Sequence, residues 1–329
     1  MPRVSTGKYL SILFRAIGNR ITERPIVVSF EVTLSCVANC LHCDTGGKRQ
    51  NEQRLKPEEY RRYIAELNPI AVQLSGGEPL LRKDLADVIR AIKNGNSLPI
   101  VIVVSNGYLL NKDRYLELKE AGADRFSLSL DFPNSKHDEF RRLPGLFAHL
   151  SKIVPELVSL GNNDIAMNCC ITKVNLPYLI QIVEKCEEWG VKISFSAYSV
   201  KRTKDPQYFI SSKEDLELLR KTIEELIKIR CERCTVLNPV EVLWSTYTFF
   251  KEGRIGDCHA GKNFIVIRPE GTLNPCSMYR EKRYTKQEDL IKDFSMNNNC
   301  GDCYVAIRAY CDKSLWFLFK ESFELMKIK

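Results

Sequence analysis

The chain has 329 residues, 44% hydrophobic and 27% charged, with 49 Lys and Arg against 41 Asp and Glu and a formal net charge of +8. That composition excludes a disordered or fibrous chain, and no apolar run approaches the roughly 20 residues of a helical membrane span. The basic residues are scattered, with no stripe interleaved with aromatics, so no nucleic-acid partner is expected.

The chain opens without a signal-peptide cleavage pattern, which points to the cytoplasm. In that reducing setting its 13 Cys favour metal or cluster ligation over disulfides. The length suits one large α/β domain with a small appendage.

The first segment, residues 1–24, places apolar groups of Tyr9–Gly18 at helical spacing, with Arg3, Lys8, Arg15 and Arg20 around them. It reads as a helix packed under the main domain; a basic helix lying on an anionic membrane is the alternative. Strand-like runs follow at Ile26–Val32, Ile70–Leu74, Ile100–Val104, Arg125–Leu130, Ile165–Ile171 and Val191–Ala197. Amphipathic helices are expected between them at Pro57–Leu67, Asp84–Lys93, Lys112–Ala121, Gly145–Leu160 and Leu176–Trp189, then at Ser212–Arg230. Gly95, Gly122 and Gly190 fall where helices should stop. Alternating βα units predict a parallel sheet, here a partial (β/α)6 barrel over residues 25–230. A helical connection over 231–257 and a cysteine-rich region over 258–329 complete the expected organisation.

In such a barrel, functional residues gather at the C-terminal ends of the strands. Each expected end is polar. They are Cys36-Val-Ala-Asn-Cys40-Leu-His-Cys43, Ser75-Gly-Gly-Glu-Pro79, Ser105-Asn-Gly107, Ser129-Leu-Asp131, Thr172-Lys-Val-Asn175 and Ser196-Ala-Tyr198. Three thiols at the first spacing can hold three corners of a cubic iron–sulfur cluster and leave the fourth iron open, where electron-transfer clusters take four cysteines. The two glycines of Gly76-Gly77-Glu78 would let a ligand approach the backbone, and Glu78 offers a carboxylate to a cation.

Taken together, CxxxCxxC, GGEP, Ser-Asn-Gly and Ser-Leu-Asp resemble the radical S-adenosylmethionine (radical SAM) superfamily over roughly Ile26 to Tyr198. The resemblance implies that Cys36, Cys40 and Cys43 hold a 4Fe–4S cluster whose open iron chelates S-adenosylmethionine. One electron would then release a 5′-deoxyadenosyl radical that abstracts hydrogen from substrate. It further implies that Gly76, Gly77 and Glu78 hold the methionyl ammonium, that His42 lies near the adenine, and that Ser129 meets ribose or carboxylate. Ser105 and Asn106 join the cofactor-binding set by the same motif match. His137-Asp-Glu-Phe-Arg141 with Gly145-Leu-Phe147 resembles an HDxxRxxxGxF stretch of one branch. There Arg141 would contact the methionyl carboxylate, and Asn175 would bind cofactor or cap a helix. His137 reads as a solvated turn histidine.

Downstream, Cys258 and Cys276 flank an expected hairpin at Asn263–Arg268 and Thr272–Asn274, followed by Cys300-Gly-Asp-Cys303 and Cys311. This resembles the auxiliary-cluster extensions called SPASM and Twitch, and implies a second 4Fe–4S cluster on Cys258, Cys276, Cys300 and Cys303. Cys311 would replace one of them or stand free. Zinc would suit the same hairpin and CxxC. Cys231 and Cys234 read as incidental, and Cys169, Cys170 and Cys186 as small core residues. The apolar run Leu315–Phe323 is expected to pack over the cysteine-rich region.

The expected activity is therefore radical modification of a peptide or protein, or maturation of a cofactor precursor, fed by an external flavodoxin- or ferredoxin-like electron donor. Modification of a lipid at a membrane surface is the second reading. A non-enzymatic zinc- or cluster-binding module is the rival from another class.

Overall fold

The computed structural model describes residues 6–318, 320 and 321. Helix α1 (Thr6–Ile21) precedes six βα units. They are β1 (Val27–Thr33) with α2 (Tyr60–Leu67), β2 (Ala71–Gly76) with α3 (Leu85–Lys93), and β3 (Ile100–Ser105) with α4 (Lys112–Glu120). Next come β4 (Arg125–Ser129) with α5 (Lys136–Arg141) and α6 (Leu146–Val158), β5 (Ile165–Ile171) with α7 (Leu179–Glu188), and β6 (Lys192–Ala197) with α8 (Val200–Thr203) and α9 (Lys213–Arg233). The remainder carries α10 (Val240–Glu252), a hairpin of β7 (Phe264–Ile267) and β8 (Leu273–Asn274), α11 (Gln287–Asp293) and α12 (Ala306–Cys311). The six expected strands are present, each with its bounds shifted by no more than two residues. Helix α5 was not anticipated; six residues are too few to show a helical period.

The strands form one sheet in the order β6-β5-β4-β3-β2-β1-β7-β8. All neighbours are parallel except the hairpin pair β7 and β8. Strand β1 is flanked on both sides, Val27 standing opposite Ala71 of β2 and Phe264 of β7. The cysteine-rich region therefore extends the barrel's own sheet, although the sequence had treated it as an appendage.

Parallel strands covered on both faces usually read as unbroken apolar runs. Here β3, β5 and β6 alternate buried with half-buried positions. Val101, Val103, Met167, Cys169, Ile193 and Phe195 join the main apolar cluster with helix residues such as Ile89, Leu150 and Ile182. Gln73, Ser75, Ser127, Asn168 and Ser196 face a cavity inside the barrel. A polar interior is thus written into the period-two pattern.

Cys169 and Cys186 are core residues as expected, and Cys170 is half-buried. At the C-terminus, residues 315–318 are helical, and Leu315 packs beside Ile12 and Ala16 of α1, not over the cysteine-rich region. Phe319, Ser322 and Phe323 of that apolar run, and residues 1–5 of the N-terminal segment, lie outside the described residues.

Candidate active site

The Cys36–Cys43 loop leaves the C-terminal end of β1 and is tied down by backbone. The Cys36 amide donates to the Gly47 carbonyl at 2.8 Å, and the Leu41 amide to the Phe140 carbonyl at 3.0 Å. At the loop's base, the Gly77 amide donates to Thr33 and the Glu78 amide to Ser35, at 2.7 and 2.8 Å. A Cβ at Gly76 would stand 2.1 Å from the Thr33 carbonyl oxygen, and one at Gly77 2.1 Å from that of Ser35. The two glycines therefore make room for the root of the cysteine loop, and Gly76 also lines the cavity inside the barrel.

Glu78 is fully buried. Its Oε1 accepts from the Ser105 hydroxyl at 2.7 Å and the Leu80 amide at 3.1 Å, and its Oε2 accepts from the Asn106 amide at 2.9 Å. Burial outweighs these donors and raises the carboxyl above its ordinary range. The Ser105-Asn106-Gly107 turn is thus a clasp on Glu78, and the Asn106 side chain also reaches the Cys36 sulfur at 4.0 Å. Ser129 lies behind this turn and donates to the Ser105 carbonyl at 3.4 Å.

A second hub is Asp131, at the end of β4 and fully buried. Its Oδ2 accepts from Arg141 Nε at 2.6 Å, its Oδ1 from the Cys170 amide at 3.0 Å, and its own amide donates to His137 Nδ1 at 3.2 Å. Burial acts against its charge, but Arg141 prevails and holds the carboxyl below its usual range. Arg141 Nη1 points to the Cys40 sulfur at 3.8 Å. Two of its three nitrogens are so engaged.

His137 is fully buried, not a solvated turn residue, and burial pushes it down to about 3. Asn175 is also fully buried. Its Oδ1 accepts from the Thr172 amide and hydroxyl, and its Nδ2 donates to the Asp131 and Cys170 carbonyls. That amide locks the ends of β4 and β5 together and has no capacity left for a cofactor, which corrects the cofactor-binding expectation. His42 stacks on Phe140 at 4.6 Å with the rings nearly parallel. Burial first, then Arg141, pushes it down to about 3, and its Nδ1 is buried without a partner.

Five charged residues that sequence reasoning missed tie together the cysteine loop, α8 and the seam between β1 and the cysteine-rich region. Arg202 Nε donates to Asp44 and its Nη2 to Thr45, at 2.7 and 2.9 Å. Arg280 reaches the same Thr45 hydroxyl at 2.7 Å, and Arg268 pairs with the buried Glu31 at 2.6 Å. Their partners are distant in sequence and follow no local pattern.

Cys258, Cys276, Cys300 and Cys303 all line one cavity of about 290 Å³, together with Glu31, Gly76, Lys201, Arg202 and the polar strand positions. Burial pushes Cys258 up to about 12 and raises Cys276 and Cys303, while Arg308 opposes the rise at Cys258 and Cys303. Cys311 is buried too, but the groups acting on it are Asp312 and Arg20, and it does not line the cavity. Cys231 sits exposed in α9 and Cys234 caps that helix in a left-handed turn, both away from the cavity.

Residues 30–186 match the model of the radical SAM superfamily. Over that stretch the chain carries a radical SAM domain. It is 32% identical over 171 residues to an AdoMet-dependent heme synthase of Oleidesulfovibrio alaskensis, covering 50% of this chain and 43% of that one. It is 29% identical over 287 residues to a probable GTP 3',8-cyclase of Sulfurisphaera tokodaii, covering 82% of this chain and 87% of that one. The chain thus spans less than half the length of that heme synthase. Among solved structures, Streptococcus suis SuiB bound to precursor peptide SuiA superposes with a TM-score of 0.63 at 18% identity, over 87% of this chain and 68% of SuiB. That likeness is one of fold. Radical SAM proteins bind a 4Fe–4S cluster and S-adenosylmethionine, and the site residues fit both. Burial pushes the Cys36 thiol up to about 11 and raises that of Cys40, so thiolates here are costly until a metal binds them. Cys43 adds to the rise at both, and Cys40 to that at Cys36, so the three sulfurs lie close enough to form one group. Among the described residues no three His, Cys, Asp or Glu side chains converge on a single-ion geometry. A cubic cluster gives each cysteine its own iron and does not require that convergence. The buried, unpartnered His42 Nδ1 is a polar group that an adenine-bearing ligand can satisfy.

Proposed function

We propose that this radical SAM enzyme matures a peptide or a cofactor precursor bound in the cavity that its second cysteine set shares with the barrel interior. The observation that carries the reading is the cavity itself, because Gly76 and the polar strand interior share it with Cys258, Cys276, Cys300 and Cys303. Cys36, Cys40 and Cys43 would hold the SAM-binding cluster, and the second four an auxiliary 4Fe–4S cluster. When bound, the cluster and S-adenosylmethionine supply a one-electron cleavage that generates a 5′-deoxyadenosyl radical.

The chain's own residues do the rest. Glu78, clasped by Ser105 and Asn106, presents a desolvated carboxylate to the methionyl ammonium. His42, neutral because its protonation is suppressed, offers Nδ1 and a ring face to the adenine, and Ser129 supplies a hydroxyl for the ribose. The serines of the barrel interior orient a polar substrate. Relatives named for heme synthesis and GTP cyclisation support a cofactor precursor, and the fold shared with peptide-bound SuiB supports a peptide. The electron would come from an external flavodoxin- or ferredoxin-like donor.

The test is metal and sulfide analysis of protein purified without oxygen, followed by addition of S-adenosylmethionine and a strong reductant. About eight irons with 5′-deoxyadenosine released is the expected result. About four irons with one zinc would keep the radical chemistry and make the second cysteine set structural. Zinc alone without 5′-deoxyadenosine would overturn the reading.

A further inference from the structure

Helix α1 has two apolar faces. Ile12 and Ala16 pack with Ile26, Ile70 and Leu315 under the sheet, and Asn19 is buried beside them, donating to the Pro25 and Asn68 carbonyls at 2.9 Å each. On the other side Leu10, Phe14, Ile17 and Ile21 recur at spacings of four, three and four, which puts them in one stripe. They are 46%, 70%, 41% and 76% exposed. A helix on a protein surface ordinarily turns charge outward. This outward face carries none, and Thr6–Ile21 contains no acidic residue at all.

The arginines of α1 turn away from the stripe and back onto the protein. Arg15 donates to the Pro69 carbonyl at 3.3 Å, and Arg20 to the Cys311 and Lys313 carbonyls at 2.7 and 3.0 Å. Among the described residues neither is in an ion pair. Trp316, next to the packed Leu315, is 74% exposed.

We propose that this face docks on an anionic phospholipid surface, with Leu10, Phe14, Ile17 and Ile21 entering the acyl boundary. An exposed apolar stripe on a helix that carries Lys8, Arg15 and Arg20 and no acid is the pattern that binds such an interface. Pro69 and Ile70 lead into β2 and Ile26 into β1, so α1 covers the N-terminal ends of the strands, opposite the Cys36–Cys43 loop. The contact is therefore an anchor and not a route for lipid to the site, and it stands independently of the proposed substrate.

The test is co-sedimentation of the full chain, with its clusters, on vesicles of phosphatidylglycerol and phosphatidylcholine and on vesicles of phosphatidylcholine alone. The expected result is sedimentation with the anionic vesicles, release by raised salt, and at least tenfold weaker binding to the neutral ones. The double variant Phe14→Ser, Ile21→Ser should lose at least tenfold in binding while its thermal unfolding and its 5′-deoxyadenosine release in solution stay unchanged. Failure to sediment with either vesicle, or equal binding to both at all salt concentrations, overturns the proposal. A dimer in light scattering that the double variant dissociates also overturns it, since a second copy would then cover the face.

Discussion

Arg141 stands between a carboxylate and a sulfur: its Nε is 2.6 Å from Asp131 and its Nη1 3.8 Å from Cys40. Asp131 fixes the guanidinium, and the guanidinium faces a sulfur that becomes a thiolate when metal binds. Hydrogen bonds to cluster sulfurs and nearby positive charge favour the more electron-rich, reduced state. Arg141→Gln should therefore lower the reduction potential of the first cluster by a tenfold change in equilibrium, about 59 mV for one electron. Redox titration followed by electron paramagnetic resonance, without S-adenosylmethionine, measures it. An unchanged potential with weakened cofactor binding would instead assign Arg141 to the methionyl carboxylate.

His137 makes acid sensitivity predictable. Its folded pKa, about 3, lies below the ordinary histidine value, so the unfolded chain binds its proton first as pH falls. The stability it supports is complete above about 6.5 and is lost as pH falls toward 3, on the order of 3–5 kcal/mol over the full window. His137→Asn keeps an acceptor for the Asp131 amide and removes the titration. Urea unfolding of the variant across this range should show a shallower acid slope than the parent chain.

Gly77→Ala drives a methyl into the Ser35 carbonyl and displaces the root of the cysteine loop. The expected outcome is loss of iron from the first site with the second retained. Gly47 is the control, because a Cβ there meets nothing within 4 Å although its φ of +87° is left-handed. Gly47→Ala should cost about 1 kcal/mol of stability and no iron.

Cys303→Ala should empty the second site, and Cys311→Ala should leave its metal in place, because only Cys303 shares the cavity with Cys258, Cys276 and Cys300. Conversely, Cys40→Ala should abolish 5′-deoxyadenosine release and keep the second site's iron. Iron and sulfide analysis of the three variants decides both points.

What the sequence made legible was local. The six strands show in apolar or alternating runs, and the cysteine loop, Glu78 and Ser105-Asn106 show because each falls at a strand end. What it hid depends on partners far along the chain. Asn175 looks free in Thr-Lys-Val-Asn until Asp131 and Cys170 are seen beside it. His137 looks solvated until α5 folds it under Asp131. Gly76 and Gly77 give no sign that Thr33 and Ser35 will pack against them. Thr45 gives no sign that Arg202 and Arg280 will meet on its hydroxyl.

The pairing of β7 with β1 also sets an order of events during synthesis. Glu31 and its partner Arg268 are 237 residues apart, and β1 has one hydrogen-bonding edge open until β7 arrives. An open strand edge invites pairing with other chains, and contacts of such long separation form slowly. On the ribosome, the strand that carries the cysteine loop must wait for most of the chain to be made before its last neighbour can join. Shortening that wait, by a circular permutation that brings the β7–β8 hairpin ahead of β1, should raise the yield of soluble protein.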